Sequence, residues 1–507
     1  MSTVVQPAIS AEEFFASDQE KDLLRLVTAG SVDDGKSTLL GRLLYDSQSI
    51  YEDQLHAIKR ASRGGLELAL LTDGLRAERE QGITIDVAYR YFSTAKRKFI
   101  LADTPGHEQY TRNMATGASN ADLAILLVDA SRGIQPQSKR HAYIIGLLGI
   151  RHLVVLINKM DLVGYSEEIF RKLRRDLLAA LGHLSFEAIE FIPVSANAGT
   201  NVVHRSSLTP WYLGRALLEY LESVDVSRNL QDKPFRFPVQ LVQRTPDFRG
   251  YSGQIAAGRI AIGDSLTVLP SQRRTRVKSI VTFDGKKTEA FAPQSVTLTV
   301  EDELDISRGD MIASNDNEPQ MAQNVRAQVI WFSEQPFGPG RRYLIKHTSQ
   351  STGAVLKVES KLNIQSLSSQ MASTLEMNDI GIVSVEADRS LLFDSYQTSR
   401  STGSFIVVDP NSHNTVAAGM IIAAVEPSVR AQSQRGLLAM AKGDEPRLEL
   451  LDRAGAEARN IVVLSKWNQR AVDLLLETGM HVIMLDKIAA ADRSRYQCGT
   501  VEDILGT

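Results

Sequence analysis

The spacing of apolar and polar positions changes twice along the chain. From 23 to 223, short runs that are apolar at nearly every position alternate with longer amphipathic segments. LLRLVTAG (23–30), KFILAD (98–103), LAILLVDA (123–130), HLVVLIN (152–158) and FIPVSA (191–196) read as strands buried on both faces. Such strands need helices on either side of a mostly parallel, doubly wound sheet. DVAYRYF (86–92) adds a sixth strand. Only the polar turn STAKR separates it from 98–103, so those two run antiparallel, with Lys96, Arg97 and Lys98 expected in a solvated turn.

Past Asp232 the period falls to two. Residues 233–315, as in GQIAAGRIAIGDSLTVLPS (253–271), and 322–427, as in FIVVD (405–409) and AGMIIAAVE (418–426), predict two successive all-β barrels. Arg308-Gly309-Asp310 fits a strand-bounding turn. Residues 428–507 open polar, then spell one βαβ unit: NIVVL (460–464), a helix from Lys466 to Thr478, Gly479 as a stop, and HVIMLD (481–486). Residues 1–22 read as a flexible arm. The expected fold is an α/β domain, two β-barrels and a small C-terminal α/β extension.

With 507 residues, three or four domains are the prior. Lys and Arg number 57 against 60 Asp and Glu, a balance that argues against a nucleic-acid partner held by broad electrostatics. Cys498 stands alone, so neither an intramolecular disulfide nor a cysteine-bound zinc is expected. The acidic N-terminal stretch lacks a leader pattern and no apolar run is long enough to cross a bilayer. A cytoplasmic protein with no membrane partner is expected.

The chemistry starts at Gly30-Ser31-Val32-Asp33-Asp34-Gly35-Lys36-Ser37, followed by Thr38, which matches G-x-x-x-x-G-K-[ST] between a strand and a helix. Its backbone N–H groups can cradle phosphates, Lys36 can reach the β- and γ-phosphates, and the Ser37 hydroxyl can ligate Mg²⁺. Asp103-Thr104-Pro105-Gly106 closes a strand, where the carboxylate can join the Mg²⁺ shell and the glycine N–H can meet a γ-phosphate. Asn158-Lys159-Met160-Asp161 closes another; its Asp161 can accept two hydrogens from guanine N1 and N2, a pair adenine lacks. At Ser195-Ala196 a backbone N–H can read guanine O6. Four weak motifs, ordered at strand carboxyl ends, together point to a GTP site at the sheet edge. Thr84, in REQGITID (79–86), can complete the Mg²⁺ shell when a γ-phosphate draws in a switch spanning about 46–86. Asp33 and Asp34 are acidic where an anion should sit. Either they face solvent or pair with cations, or one of them, Asp33, helps hold a monovalent cation such as K⁺.

Residues 23–427 resemble the elongation factor Tu superfamily of P-loop GTPases, through RAEREQGITID (76–86) and DTPGHEQYTRNMATGAS (103–119). In translation-type members a histidine at the place of His107 orients the attacking water, so the resemblance makes His107 catalytic together with Lys36 and Thr84. Asp34 stands where elongation factors usually carry histidine. GSVDDGKSTLLGRLLYDS (30–47) and SRSTGSFIVVDPNSHNTVAAGMI (399–421) instead resemble the large-subunit family of bacterial sulfate adenylyltransferases. That resemblance implies a GTP-hydrolysing subunit, coupled to a small ATP- and sulfate-binding subunit that makes adenylylsulfate and pyrophosphate. A translation factor carrying aminoacyl-tRNA and a stand-alone switch are the rival readings. The tail faintly resembles the first βαβ unit of adenylylsulfate kinase, but SKWNQR (465–470) replaces a phosphate loop. It is either a silent remnant of that kinase or an unrelated extension.

Overall fold

The computed structural model describes residues 21–47, 84, 86–182, 184–226, 230–246, 248–363, 368–425, 439–441, 461–464, 481–485 and 497–498. The chain divides into two compact units, Met1–Ala424 and Val425–Thr507.

The first unit opens with a six-stranded sheet made of β1 (Leu23–Ala29), β2 (Ala88–Ser93), β3 (Lys98–Asp103), β4 (Leu123–Asp129), β5 (His152–Asn158) and β6 (Ala188–Pro193), in the order β2-β3-β1-β4-β5-β6. All neighbours run parallel except β2 and β3, which pair antiparallel as their short turn requires. Every residue of β4 is buried. One face packs on α1 (Lys36–Asp46) and α5 (Leu217–Ser223), the other on α2 (Thr111–Ser119), α3 (Pro136–Leu147) and α4 (Glu167–Leu181). In α4, Ser166 caps the first turn, and Phe170, Leu173, Leu177 and Leu181 recur at helical spacing as its buried stripe. Because β1 lies between β3 and β4, chain crossings leave β1 in opposite directions. The crevice at its carboxyl end is where ligands bind in such sheets.

The basic turn after β2 departs from expectation. Lys96 is solvated and pairs with Glu222 at 2.9 Å, but Arg97 is only 6% exposed. Its guanidinium donates to the carbonyls of Leu221 (3.0 Å) and Val224 (2.6 Å) and to the Asp22 carboxylate. Carbonyls at the end of a helix lack intrahelical donors, and the buried arginine supplies them for α5.

Next come β7 (Arg236–Pro238), β8 (Leu241–Thr245), β9 (Phe248–Gln254), β10 (Arg259–Ala261), β11 (Ser265–Leu269), β12 (Arg273–Thr282), β13 (Gly285–Lys287), β14 (Glu289–Phe291), β15 (Ser295–Val300) and β16 (Met311–Ser314). The main sheet runs β7-β16-β11-β12-β15-β9-β8. Since β7 continues into β8 after Val239 and Gln240, the chain itself closes the ring. Arg308-Gly309-Asp310 is the expected turn: Gly309 sits at φ 101°, and Asp310 accepts the Ser307 N–H at 2.8 Å just before β16.

The second barrel is formed by β17 (Gln320–Trp331), β18 (Arg342–His347), β19 (Gln350–Asn363), β20 (Ser368–Met371), β21 (Ile380–Phe393), β22 (Ser404–Val408) and β23 (Thr415–Ala424). Its order β18-β22-β23-β17-β21-β19 closes through direct β18–β19 pairing around Trp331, Phe337 and Tyr343. It packs on the first domain. Ile330, Ile380, Tyr396 and Met420 share a buried cluster with Ile144, Ile145 and Leu148, and the Tyr396 hydroxyl donates to the Leu148 carbonyl at 3.0 Å. Arg236, 2% exposed, ties the barrels through Asp394 at 2.9 Å.

In the second unit β24 (Ala439–Ala441), β25 (Ile461–Leu464), β26 (His481–Leu485) and β27 (Gln497–Cys498) pair in parallel, in the order β24-β26-β25-β27. Parallel β25 and β26 are what a βαβ unit produces. The helix expected between them, and residues 1–20 of the arm, lie outside the described residues.

Candidate nucleotide-binding site

The loop after β1 makes a turn that side chains would obstruct. Gly30 and Gly35 sit at φ 146° and 94°. A Cβ at Gly30 would fall 2.8 Å from the Leu127 carbonyl, and one at Gly35 would fall 2.5 Å from the Asn158 amide nitrogen. Gly35 caps α1 without a side-chain hydrogen bond, and no acidic residue occupies the first turn. The first helical bond runs from the Leu39 N–H to the Gly35 carbonyl at 2.9 Å. The N–H groups of Lys36, Ser37 and Thr38 therefore project forward with no carbonyl behind them, which suits an anion. Val32, Ser37 and Thr38 are half-buried and Ser31 is buried.

Lys36 is buried, and its ammonium donates to the carbonyls of Gly30 (3.1 Å) and Ser31 (2.8 Å). Burial pulls its pKa down, while Asp103, Asp34 and Asp33 oppose that shift. Gly106 backs onto it: a Cβ there would lie 2.4 Å from Nζ. Thus the end of β3, with buried Asp103, Thr104 and Pro105, faces the lysine. Asp103 accepts the Thr28 hydroxyl at 2.8 Å, and the Thr104 hydroxyl donates to the Thr28 carbonyl. A buried cation facing uncapped amides fits a polyphosphate.

The two loop acids differ, and Asp34 departs from the expectation of a solvated or cation-paired side chain. It is 1% exposed. One carboxylate oxygen accepts the Ser31 N–H at 2.7 Å and the other has no partner. The three-residue spacing folds the side chain back across its own turn. Burial pushes its pKa up to about 6. Asp33, at φ 66°, is exposed and lies 3.7 Å from Arg132.

Behind the loop, the Gly30 N–H donates to Nδ1 of His141 at 3.1 Å, and the Ser31 hydroxyl meets that of Ser138 at 3.1 Å. His141 is fully buried. Burial first, then the charges of Lys36 and Arg140, press its pKa to about 3, so the ring is neutral and can accept.

At the other end Asn158 joins three loops. Its amide nitrogen donates to the Asp34 carbonyl at 2.8 Å, and its oxygen accepts the Ala196 N–H at 2.9 Å. Lys159, at φ 59°, contacts the buried Asp129 carboxylate at 2.8 Å. Burial would raise that carboxyl, but hydrogen bonds from Lys159 and Ser131 hold it below the usual range. Met160 is buried, and Asp161 is exposed on the following turn. The Ser195 N–H is bonded to Thr200 at 3.3 Å. With the Ala196 N–H on Asn158, both N–H groups of Ser195-Ala196 are engaged within the protein, contrary to the expectation that one would read a base. The next N–H in that turn belongs to Asn197.

His107 is half-buried where a short 3₁₀ turn, Glu108–Tyr110, begins. Its Nδ1 accepts the Gln109 N–H at 3.3 Å, and its ring lies 6.0 Å from that of Tyr110. Thr84 is half-buried; nearly all of the expected switch (48–83 and 85) lies outside the described residues. Thr28, Asp129, Ser138 and His141 escaped the sequence reading. For Ser138 and His141 the one signal is QSKRH (137–141), a polar run opening an otherwise apolar helix. Among the described residues, no three His, Cys, Asp or Glu side chains gather to hold a metal, and no helix is long and apolar enough to cross a membrane.

The family model of the elongation factor Tu GTP binding domain matches residues 21–227, and that of a GTP-eEF1A C-terminal domain-like fold matches 324–422. Sulfate adenylyltransferase subunit 1 of Alteromonas mediterranea is 51% identical over 417 residues, covering 81% of this chain and 88% of the relative. That of Teredinibacter turnerae is 50% identical over 432 residues, covering 84% and 92%. The bifunctional enzyme NodQ of Rhizobium meliloti is 49% identical over 423 residues, covering 82% and 66%.

Proposed function

The chain belongs to the sulfate adenylyltransferase subunit 1 family, and from that membership we propose that it hydrolyses GTP to drive a companion subunit joining ATP and sulfate into adenylylsulfate and pyrophosphate. The observation that carries the reading is Asn158, which locks the phosphate loop, the Asn158–Asp161 turn and the Ser195-Ala196 turn into one frame. That frame supports reading the loop N–H groups as a phosphate cradle and Asp161, exposed on the following turn, as the base-recognising carboxylate.

The loop N–H groups and Lys36 bind the phosphates. Asp161 accepts from guanine N1 and N2, and the Asn197 N–H replaces Ser195-Ala196 as reader of O6. Ser37, Asp103 and Thr84 offer the hard oxygens that Mg²⁺ prefers; when bound, Mg²⁺ neutralises charge on the β- and γ-phosphate oxygens. His107 orients water at the γ-phosphate, with Nδ1 fixed by Gln109. Asp33, exposed at the loop tip, is the group to hold a monovalent cation, in competition with Arg132. Faster GTP turnover in potassium than in sodium supports that role; equal rates remove it. The tail acts as a silent βαβ unit, so the full chain should not phosphorylate adenylylsulfate.

GTP and GDP favour different arrangements of the barrels, and a partner that binds the two unequally is driven by the cycle. The test is capture of a small adenylyl-transferring subunit on the full chain, then an assay of sulfate-dependent pyrophosphate release. GTP should stimulate the complex, and the chain alone should hydrolyse GTP without releasing pyrophosphate from ATP. A chain that prefers adenosine nucleotides, or a complex indifferent to GTP, overturns the proposal.

A further inference from the structure

We propose that Arg140 is a positioning residue through which the second barrel sets how firmly the phosphate loop holds its nucleotide. The inference rests on the reading that this loop binds guanine nucleotide.

The contacts run from barrel to loop, through side chains as far as Arg140 and through the first turns of α3 beyond it. Asn378, 4% exposed, lies in the turn before β21, and its N–H donates to the Trp331 carbonyl at 2.7 Å, anchoring it to the barrel core. Its side-chain amide crosses to the first domain and donates to the Glu108 carbonyl at 2.9 Å. Glu108 directly follows His107, and its carboxylate pairs with Arg140 on α3. The same Arg140 nitrogen lies 3.0 Å from the Gln137 amide. One turn along, that amide is 2.8 Å from Nε2 of His141, whose Nδ1 holds the Gly30 N–H at 3.1 Å. The Nε of Arg140 is buried with no partner, and the side chain is engaged through a terminal nitrogen.

Gly30 is where this line can act. Its N–H is held by His141 and its carbonyl by the Lys36 ammonium at 3.1 Å. An ammonium has three N–H donors, so with two on the carbonyls of Gly30 and Ser31 one is left for a phosphate. The two carbonyls therefore aim the remaining donor, and whatever fixes Gly30 from behind sets where it points. A barrel shift that tugs Glu108 moves Arg140, and with it the start of α3 against which Gly30 rests. Spatial continuity alone does not establish coupling, so the test is non-additivity.

The assay is dissociation of a fluorescent GDP analogue from the full chain. Asn378 has φ 68°, so Asn378→Gly removes the amide without straining the backbone. Asn378→Gly and Arg140→Ala should each speed release about 3- to 10-fold, the range for one lost hydrogen bond. The double variant should release no faster than the faster single one, and Arg140→Lys should restore part of the loss. Gln137→Ala, at a half-buried position, should reproduce the effect if Arg140→Ala lowers the melting temperature. Multiplying effects in the double variant, or release at the wild-type rate from Asn378→Gly and Gln137→Ala, overturns the proposal. A wild-type chain that fails to bind the analogue overturns the nucleotide reading and this one with it.

Discussion

Replacing Asp34 by Asn isolates the consequence of burying an acid in a phosphate loop. The carboxylate is 1% exposed and has one partner, the Ser31 N–H at 2.7 Å. Burial raises its pKa from 3.8 to about 6. The Ser31 bond, Lys36 and Lys159 offset part of that shift, and Asp129 adds to it. The folded protein thus holds this proton more tightly than the unfolded chain does. The resulting stability is whole below about pH 3.8 and is lost as pH rises through about 6. A gap of about two pH units corresponds to about 3 kcal/mol, lost fully at pH 7.5 and about half lost at pH 5. Asn keeps the shape, accepts the Ser31 N–H and carries no charge. Asp34→Asn should therefore stabilise the nucleotide-free domain at pH 7.5 by up to about 3 kcal/mol, with the gain shrinking by about 1.4 kcal/mol at pH 5.

Several domains unfold in this chain, so the reporter must be local. Trp211 packs on Phe170 within the first domain and donates to the Tyr165 carbonyl at 3.1 Å. With Trp331 and Trp467 changed to Phe in both proteins, Trp211 fluorescence in urea follows this domain. A gain equal at both pH values, or a loss at pH 7.5, refutes the picture of an ionised acid held at a penalty.

Three further substitutions probe the site. Lys36→Ala should leave no GTP binding detectable by equilibrium dialysis at micromolar nucleotide; retained binding would displace the lysine from the phosphates. His107→Ala should change GTP affinity little and slow single-turnover hydrolysis by about 10²-fold or more; an unchanged rate removes its role. Asn158→Ala loses two buried hydrogen bonds and should destabilise the domain by about 2–3 kcal/mol, read by the same Trp211 unfolding, while weakening GTP binding; an unaltered domain would deny that it joins the three loops.

Periodicity shows which face of an element is buried, and so the six strands, their order of chemistry and both barrels were legible from apolar spacing. It carries no information on which polar groups meet across elements. Arg97 illustrates the difference: a basic turn reads as solvated until α5, more than a hundred residues later, brings carbonyls that need a donor. His141 is similar, since its role depends on α3 passing behind a loop whose motif ends at Ser37. Asn158 was legible as part of a motif, but not as the group that occupies the Ala196 N–H. Asp34 makes the point most sharply. The motif assigns phosphate contacts to main-chain N–H groups and Lys36, which leaves the acid free to point anywhere. Its direction is decided by the Ser31 N–H three residues back, in a turn that closes only because Gly30 and Gly35 adopt positive φ. The negative charge is tolerated there because it faces the loop's own backbone, and because Lys36 and Lys159 lower the penalty that burial imposes. An acid in such a loop is therefore part of the frame that shapes it, bonded to the loop's own backbone.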